Sequence, residues 1–353
     1  VNTGVPQAGG ADPQRCDRTG SAAQALPPQP CALLAVRELS VTYRVAYRRG
    51  HALLRAVNGV SFELARGETL GLVGESGSGK STIARALLRL VPAESGVASF
   101  HGTDLLKLSG ARLQAMRRHL QLIFQDPLAS LDPRMNIGDI LGEPLRVFEP
   151  QLSGQQRLQR VLAMTRAVGL GAEQLHRFAH ELSGGQAQRI GIARALIIEP
   201  ELIVCDEPLS ALDVSIKSQI GNLLKDLQRQ LQLSLLFISH DLAAVRFSCD
   251  RVLVLYLGRV MEIAGCDTLF KACRHPYTRA LIRAAPIPDP VAARARRSAP
   301  LEGEIPSPLF APSGCVFRTR CPMAIDRCAR EIPLLRQVAD SQVACHRAEE
   351  VGD

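Results

Sequence analysis

The sequence predicts an α/β core joined to an antiparallel β subdomain. It also predicts an inserted helical subdomain and a small cysteine-containing C-terminal extension. Three observations lead there. Short, wholly apolar runs end in a Gly-rich turn or in carboxylates, as buried parallel strands do. Those runs alternate with helical patterns. A stretch with few strand signals, residues 137–180, interrupts the alternation.

Taken in order, residues 1–31 are rich in Ala, Gly, Gln and Pro without apolar periodicity, and read as a disordered tail. LLAVRELSVTYRV and VNGVSFELARGE read as strands of an antiparallel layer. TLGLVG (69–74) is a buried strand that runs into a Gly-rich turn and the helix STIARALLRL, and LQLIFQ (120–125) is another strand. ELIVCDE (201–207) and LSLLFISH (233–240) are fully apolar strands with a helix, 214–231, between them. RVLVLYLGRVMEIAG reads as a closing hairpin. Beyond about residue 270 Pro becomes frequent and periodicity weakens, so the main unit is placed at 32–270 and a second module at 271–353. No repeat of solenoid length occurs.

The totals exclude several classes. Aromatics are 4% and Trp is absent, which argues against a base-stacking platform for single-stranded nucleic acid. The +8 charge is mostly scattered Arg, with small clusters at Arg117–Arg118 and at Arg294, Arg296 and Arg297, and reads as a solvated surface. No apolar run reaches the ~18–20 residues of a membrane span. No basic-then-apolar leader stands at the N-terminus, so the chain is expected in the cytosol.

GESGSGKST, Gly74–Thr82, fits the phosphate-binding pattern G-x-x-x-x-G-K-[ST]. Gly74, Gly77 and Gly79 let the backbone wrap closely, so that its N–H groups, including those of Glu75, Ser76 and Ser78, point at phosphate oxygens. The turn opens a helix whose N-terminal dipole favours anions. Lys80 is placed to reach the β- and γ-phosphates, Ser81 to ligate Mg²⁺, and Thr82 closes the motif. The competing reading is a chance match in a flexible turn. The position between a buried strand and a helix decides against it.

LIVCDEP puts Asp206 and Glu207 at the C-terminal end of a buried strand, where α/β sheets bind ligands. An apolar strand ending in two carboxylates is costly without a cation or water for them to act on. Asp206 suits Mg²⁺, and Glu207 suits orienting and deprotonating an attacking water. Cys205, one residue earlier, reads as a small core residue.

The next motifs carry a resemblance. ELSGGQAQRIGIARAL contains Leu182, Ser183, Gly184, Gly185 and Gln186, and LSGGQ resembles the signature of ATP-binding cassette (ABC) ATPases. Physically it is a Ser-Gly-Gly turn at a helix N-terminus, again an anion-binding device. The resemblance implies a RecA-like P-loop NTPase core and two cassettes meeting head to tail. Each signature then closes on the ATP held by the other subunit. It further implies that Tyr43, with Tyr47 as the alternative, stacks on adenine. Gln125 resembles the glutamine that contacts Mg²⁺ and the attacking water. Asp213 matches the D-loop at the dimer interface, and His240 the switch histidine at the γ-phosphate. No expected catalytic position departs from the family pattern, so the cassette is expected to hydrolyse ATP; Ala187 after LSGGQ is a minor difference.

One cassette with no long heptad insert and no second cassette points away from soluble ABC ATPases acting on nucleic acid, the alternative class. FQDPLASLDPRM (124–135), RHPYTRALIRAAPIPDP (274–290) and GCVFRTRCPMAIDRC (314–328) resemble segments of oligopeptide and dipeptide importer ATPases, closer to the second of the two such importers use. That implies a heterodimer with a sister ATPase, two membrane permeases and an extracytoplasmic substrate-binding protein. It implies a peripheral location on the cytoplasmic face of the inner membrane. Nickel, glutathione or another small solute is the alternative cargo.

Cys315, Cys321, Cys328 and Cys345 are spaced C-x5-C-x6-C-x16-C. No C-x2-C pair of the kind zinc ribbons use is present. Spread thiolates suit a [4Fe–4S] cluster, and the family extension carries a comparable pattern. Zinc and a set of plain reduced thiols are the alternatives, and His346 beside Cys345 is a candidate substitute ligand. Cys16, Cys31, Cys249, Cys266 and Cys273 show no ligand spacing.

Overall fold

A computed structural model of the chain describes residues 32–47, 50–210, 212–285 and 303–352. The expected tail over 1–31, with Cys16 and Cys31, lies outside the described residues, as do the Pro-rich run from residue 286 and the arginines at 294–297.

Two sheets build the chain. The smaller is antiparallel: β1 (Ala32–Tyr47) and β2 (Gly50–Ala65) form a long hairpin, and β4 (Ser95–Phe100) and β5 (Thr103–Asp104) extend it in the order β2-β1-β4-β5. Sequence reading finds only the apolar centres of the hairpin. It misses β4, SGVASF, whose small and polar residues hide the alternation.

The larger sheet holds eight strands. Its parallel centre is β3 (Thr69–Val73), β6 (Leu120–Ile123), β7 (Leu202–Asp206), β8 (Ser234–Ile238) and β9 (Arg251–Tyr256), ordered β9-β3-β8-β7-β6. β10 (Arg259–Gly265) returns antiparallel on β9, the expected closing hairpin. Beyond it, β12 (Ser341–Val343) pairs with β10, and β11 (Arg336–Val338) pairs with β12, so the extension adds the last two strands of the cassette sheet.

Period-2 alternation divides the central strands between two cores. Leu70, Leu72, Leu202, Val204, Leu236 and Ile238 face the antiparallel layer and α1 (Lys80–Leu87). Ile203, Cys205, Leu235, Phe237, Val252 and Val254 face the other side. Helix α2 (Gly110–Arg117) precedes β6, and α3 (Ile137–Phe148), α4 (Gly154–Ala167) and α5 (Gly184–Leu196) fill the insert between β6 and β7. They are followed by α6 (Val214–Leu231), α7 (Leu242–Ser248), α8 (Cys266–Ala272) and α9 (Pro276–Ala284). Among the described residues no helix is long and apolar enough to cross a membrane.

Candidate nucleotide site

The Gly-rich turn lies between β3 and α1, as its mechanism requires. Its glycines are dictated by space and backbone angle. Gly74 has φ 154°, and a Cβ there would sit 2.1 Å from the Leu255 carbonyl oxygen. Gly79 has φ 107°, and its Cβ would meet the Ala56 carbonyl oxygen at 2.3 Å. No side chain fits either place. The contact with Ala56 also shows that β2 abuts the turn. The Gly258 N–H, from the β9–β10 connection, donates to the Ser78 carbonyl at 2.8 Å and pins the turn from another side.

Lys80 is buried, and its Nζ donates to the carbonyls of Gly74 (2.8 Å) and Glu75 (3.0 Å). Burial pulls its pKa down, against the carboxylates of Glu207, Asp206 and Glu75. Ser81 Oγ donates to Asp206 Oδ1 at 2.9 Å. Desolvation pushes Asp206 up, opposed by the Ser81 hydrogen bond and reinforced by Glu207. A buried carboxylate beside a hydroxyl is a pair of hard oxygen donors, the kind a magnesium ion takes.

Glu207 continues past β7 with φ 49°, a left-handed conformation uncommon for a non-glycine residue and often found at functional sites. Its carboxylate is held on both sides: Gln125 Nε2 donates to Oε2 at 3.0 Å, and His240 Nδ1 lies 3.2 Å from Oε1. Gln125 follows β6 and His240 follows β8, so the two strands flanking β7 each send one residue to it. Cys205 behind them is fully buried, its thiol pushed up to about 12 by desolvation, a core residue as expected.

The other expected residues stand apart from this group. Tyr43 is half-buried on β1 opposite Leu54, two residues from Ala56 and hence on the hairpin that abuts the turn. Tyr47 packs edge-on against Phe310 of the extension at 5.6 Å. Ser183 caps α5 in a capping box: its Oγ accepts from the Gln186 N–H at 3.3 Å, and Gln186 Oε1 accepts from the Ser183 N–H at 3.0 Å. Ser183 and Gly184 are exposed while Leu182 is buried beneath them. Asp213 precedes α6 on the surface beside Val214, which is 82% exposed.

Sequence reading misses a group behind the turn. The Glu75 carboxylate makes a two-pronged pair with Arg320 (2.8 and 3.1 Å), and the Glu75 N–H donates to Tyr277 Oη at 3.0 Å. The stretches RHPYTRAL and FRTRC that contain Tyr277 and Arg320 are visible in the sequence as extension segments. Nothing in their spacing shows which residue faces the turn.

The four extension cysteines are brought together as free thiols. Burial raises Cys315 and Cys345 to about 11 each, and proximity to the others adds to it. The Arg347 N–H donates to Cys345 Sγ at 3.4 Å, a contact that by itself favours the thiolate but is outweighed by burial. Among the described residues no three His, Cys, Asp or Glu side chains converge on one metal-ion position, and His346 Nε2 lies instead 3.1 Å from the Glu331 carbonyl. The described residues therefore give no support to the expected [4Fe–4S] cluster or to the zinc alternative.

Fold and site together define an ATP-binding cassette ATPase. The ABC transporter family matches residues 57–210, and the family described as oligopeptide/dipeptide transporter, C-terminal region, matches residues 261–328. The chain is 55% identical to the oligopeptide transport ATP-binding protein OppF of Salmonella typhimurium, over 83% of this chain and 87% of that protein. It is 51% identical to OppF of Escherichia coli, over 89% and 95%. A putative peptide import ATP-binding protein of Brucella ovis is 55% identical over 87% and 94%. Among solved structures, the dimeric cassette MJ0796 bound to ADP and Pi aligns with TM-score 0.60 at 27% identity, over 66% of this chain and 98% of that one. The chain belongs to the OppF-like ATP-binding subunits of ABC oligopeptide/dipeptide transporters, and its chemistry is ATP hydrolysis coupled to transport. That membership disfavours the nucleic-acid ATPase alternative.

Proposed function

We propose that this chain is the ATP-hydrolysing subunit of an oligopeptide importer, peripheral on the cytoplasmic face of the inner membrane. It pairs there with a sister ATPase and drives two permeases fed by an extracytoplasmic binding protein. One observation carries the reading: the same chain joins a cassette in which Gln125 and His240 flank Glu207 to an extension matched by the oligopeptide/dipeptide transporter family.

The mechanism follows from the side chains. Tyr43 stacks on adenine, and the N–H groups of Ser76, Gly77 and Gly79–Thr82 with Lys80 take the phosphates, those of Glu75 and Ser78 being held by Tyr277 Oη and the Glu75 carbonyl. Ser81, Asp206 and Gln125 would hold Mg²⁺, whose charge offsets that of the β- and γ-phosphates. Glu207 accepts the proton of the attacking water, oriented by Gln125, while His240 faces the γ-phosphate. Leu182–Gln186 of one subunit supply the α5 dipole to the ATP of the other, with Asp213 at the seam. Closure of the two cassettes over ATP then moves the permeases between states. Cys315, Cys321, Cys328 and Cys345 would hold a [4Fe–4S] group, whose contribution is to staple a small, Pro-rich segment.

The test is reconstitution with two permeases and a sister ATPase of one importer. Turnover stimulated by peptide-loaded binding protein is expected. Stimulation by nickel or glutathione instead would change the cargo, and stimulation by DNA without the permeases would sink the assignment.

A further inference from the structure

Glu75 is gripped at three points. Arg320 holds its carboxylate, Tyr277 Oη accepts from its N–H, and Lys80 Nζ donates to its carbonyl at 3.0 Å. Two of the three grips come from the C-terminal extension, and the third is the lysine that is to reach the phosphates. We propose that Arg320 and Tyr277 are positioning residues for ATP. Through Glu75 they fix the phosphate-binding turn in the conformation that accepts the nucleotide, which makes the extension part of the nucleotide site. The proposal rests on the reading of Gly74–Thr82 as that site.

The bracket is rigid because its base is a packed aromatic group. Tyr256, Tyr277 and Phe317 meet pairwise with centroids 4.7, 5.2 and 5.4 Å apart, all essentially without solvent exposure. The loop that delivers Tyr277 is anchored in turn. Glu262 on β10 is wholly buried, and its carboxylate accepts from the N–H groups of Arg274 (2.7 Å) and His275 (3.1 Å). His275 Nδ1 accepts from the Tyr277 N–H at 3.0 Å, fixing the first turn of α9. Thus H-P-Y reads as a device that aims one phenol at the turn.

The Arg320 guanidinium side chain is only 6% exposed and that of Glu75 21%. Buried ion pairs contribute little net stability, because desolvation offsets the attraction, whereas they do fix geometry. A two-pronged arginine–carboxylate contact fixes both distance and plane. An ordinary surface function for Glu75 needs neither. Arg320 also directly precedes Cys321, so the cysteine site and the turn share one segment.

The test is ATP affinity of the full-length chain, followed with a fluorescent ATP analogue, together with KM and kcat in the assembled transporter. Arg320→Met and Glu75→Ala should each weaken ATP binding about tenfold, with kcat at saturation little changed, since misplacement of a binding loop acts on binding. The double variant should be no worse than either single one, because both remove the same contact. Tyr277→Phe keeps the aromatic packing and removes only the acceptor, and should raise KM a few-fold. Unfolding midpoints show whether each variant is folded. Wild-type ATP affinity in folded Arg320→Met and Tyr277→Phe, or additive losses in the double variant, overturns the inference. Lys80→Ala separates the two readings. If that variant binds ATP normally, the site assignment itself has failed.

Discussion

Glu207→Gln replaces the carboxylate by an amide of the same shape. The structure gives it contacts at 3.0 Å to Gln125 Nε2 and 3.2 Å to His240 Nδ1. The amide oxygen can still accept from Gln125, and its NH₂ can donate to His240 Nδ1 in the tautomer with the proton on Nε2. The pocket therefore keeps its geometry, and ATP binding should stay within about threefold of wild type. The proton acceptor is gone, however. General-base catalysis is worth about 10²–10⁴-fold in rate. The Glu207 side chain is 16% exposed, so bulk water has little access to substitute for it. The loss should fall in the middle of the range or above, about 10³-fold, or ~4 kcal/mol at the barrier. Single-turnover hydrolysis in the assembled transporter, beside equilibrium ATP binding, measures both halves. Turnover within threefold of wild type would refute the assignment of the base. So would a loss of rate that merely tracks a loss of binding.

Three further outcomes are expected. Ser183→Ala removes a cap worth about 1 kcal/mol to α5, so the lone chain should lose little stability and keep its ATP affinity. Hydrolysis in the dimer should still drop about 10²-fold, as when one transition-state donor is removed; equal hydrolysis would place the signature outside the reaction. Anaerobically purified chain should contain iron and sulfide with broad visible absorbance, lost in Cys321→Ser, whereas stoichiometric zinc or no metal at all rejects the cluster. Burial pushes the Glu262 carboxyl above its ordinary 4.5, against the N–H groups of Arg274 and His275. Stability tied to its protonated form is complete below 4.5 and is lost as pH rises through the higher folded value. The unfolding midpoint of wild type minus that of Glu262→Gln should therefore fall with rising pH. A flat or rising difference contradicts the shift.

Much of the cassette was legible because its signals are local. The strands β3, β7 and β8 are short apolar runs, and the proposed site lies at their ends. Gly74, Lys80, Asp206 and Glu207, the residues proposed for it, could be named without a structure because a Gly-rich turn and an acidic strand end each occupy one contiguous stretch. Less legible was anything carried by a single long-range contact. β4 lacks an apolar stripe, and β11 and β12 are three residues each, too short for periodicity to register. Arg320 lies 245 residues from Glu75 in sequence. Nothing about an arginine between Thr319 and Cys321 announces a partner that distant.

Those same long-range contacts bear on how far the extension is separable from the cassette. Removing it would leave the β10 edge, now paired with β12, open to other strands. It would leave the buried Glu262 carboxylate without the N–H groups of Arg274 and His275, and a buried charge without donors is far costlier than an exposed one. It would also uncover the ring of Tyr256, which packs on Tyr277 and Phe317, and free the Glu75 carboxylate. None of these groups lies in the extension; each belongs to the cassette and has its partner beyond residue 270. A cassette evolved to stand alone has no use for a wholly buried glutamate on its last core strand. The physical reading is that the extension and the cassette are one packed structure, and that the Gly-rich turn is supported by residues from both.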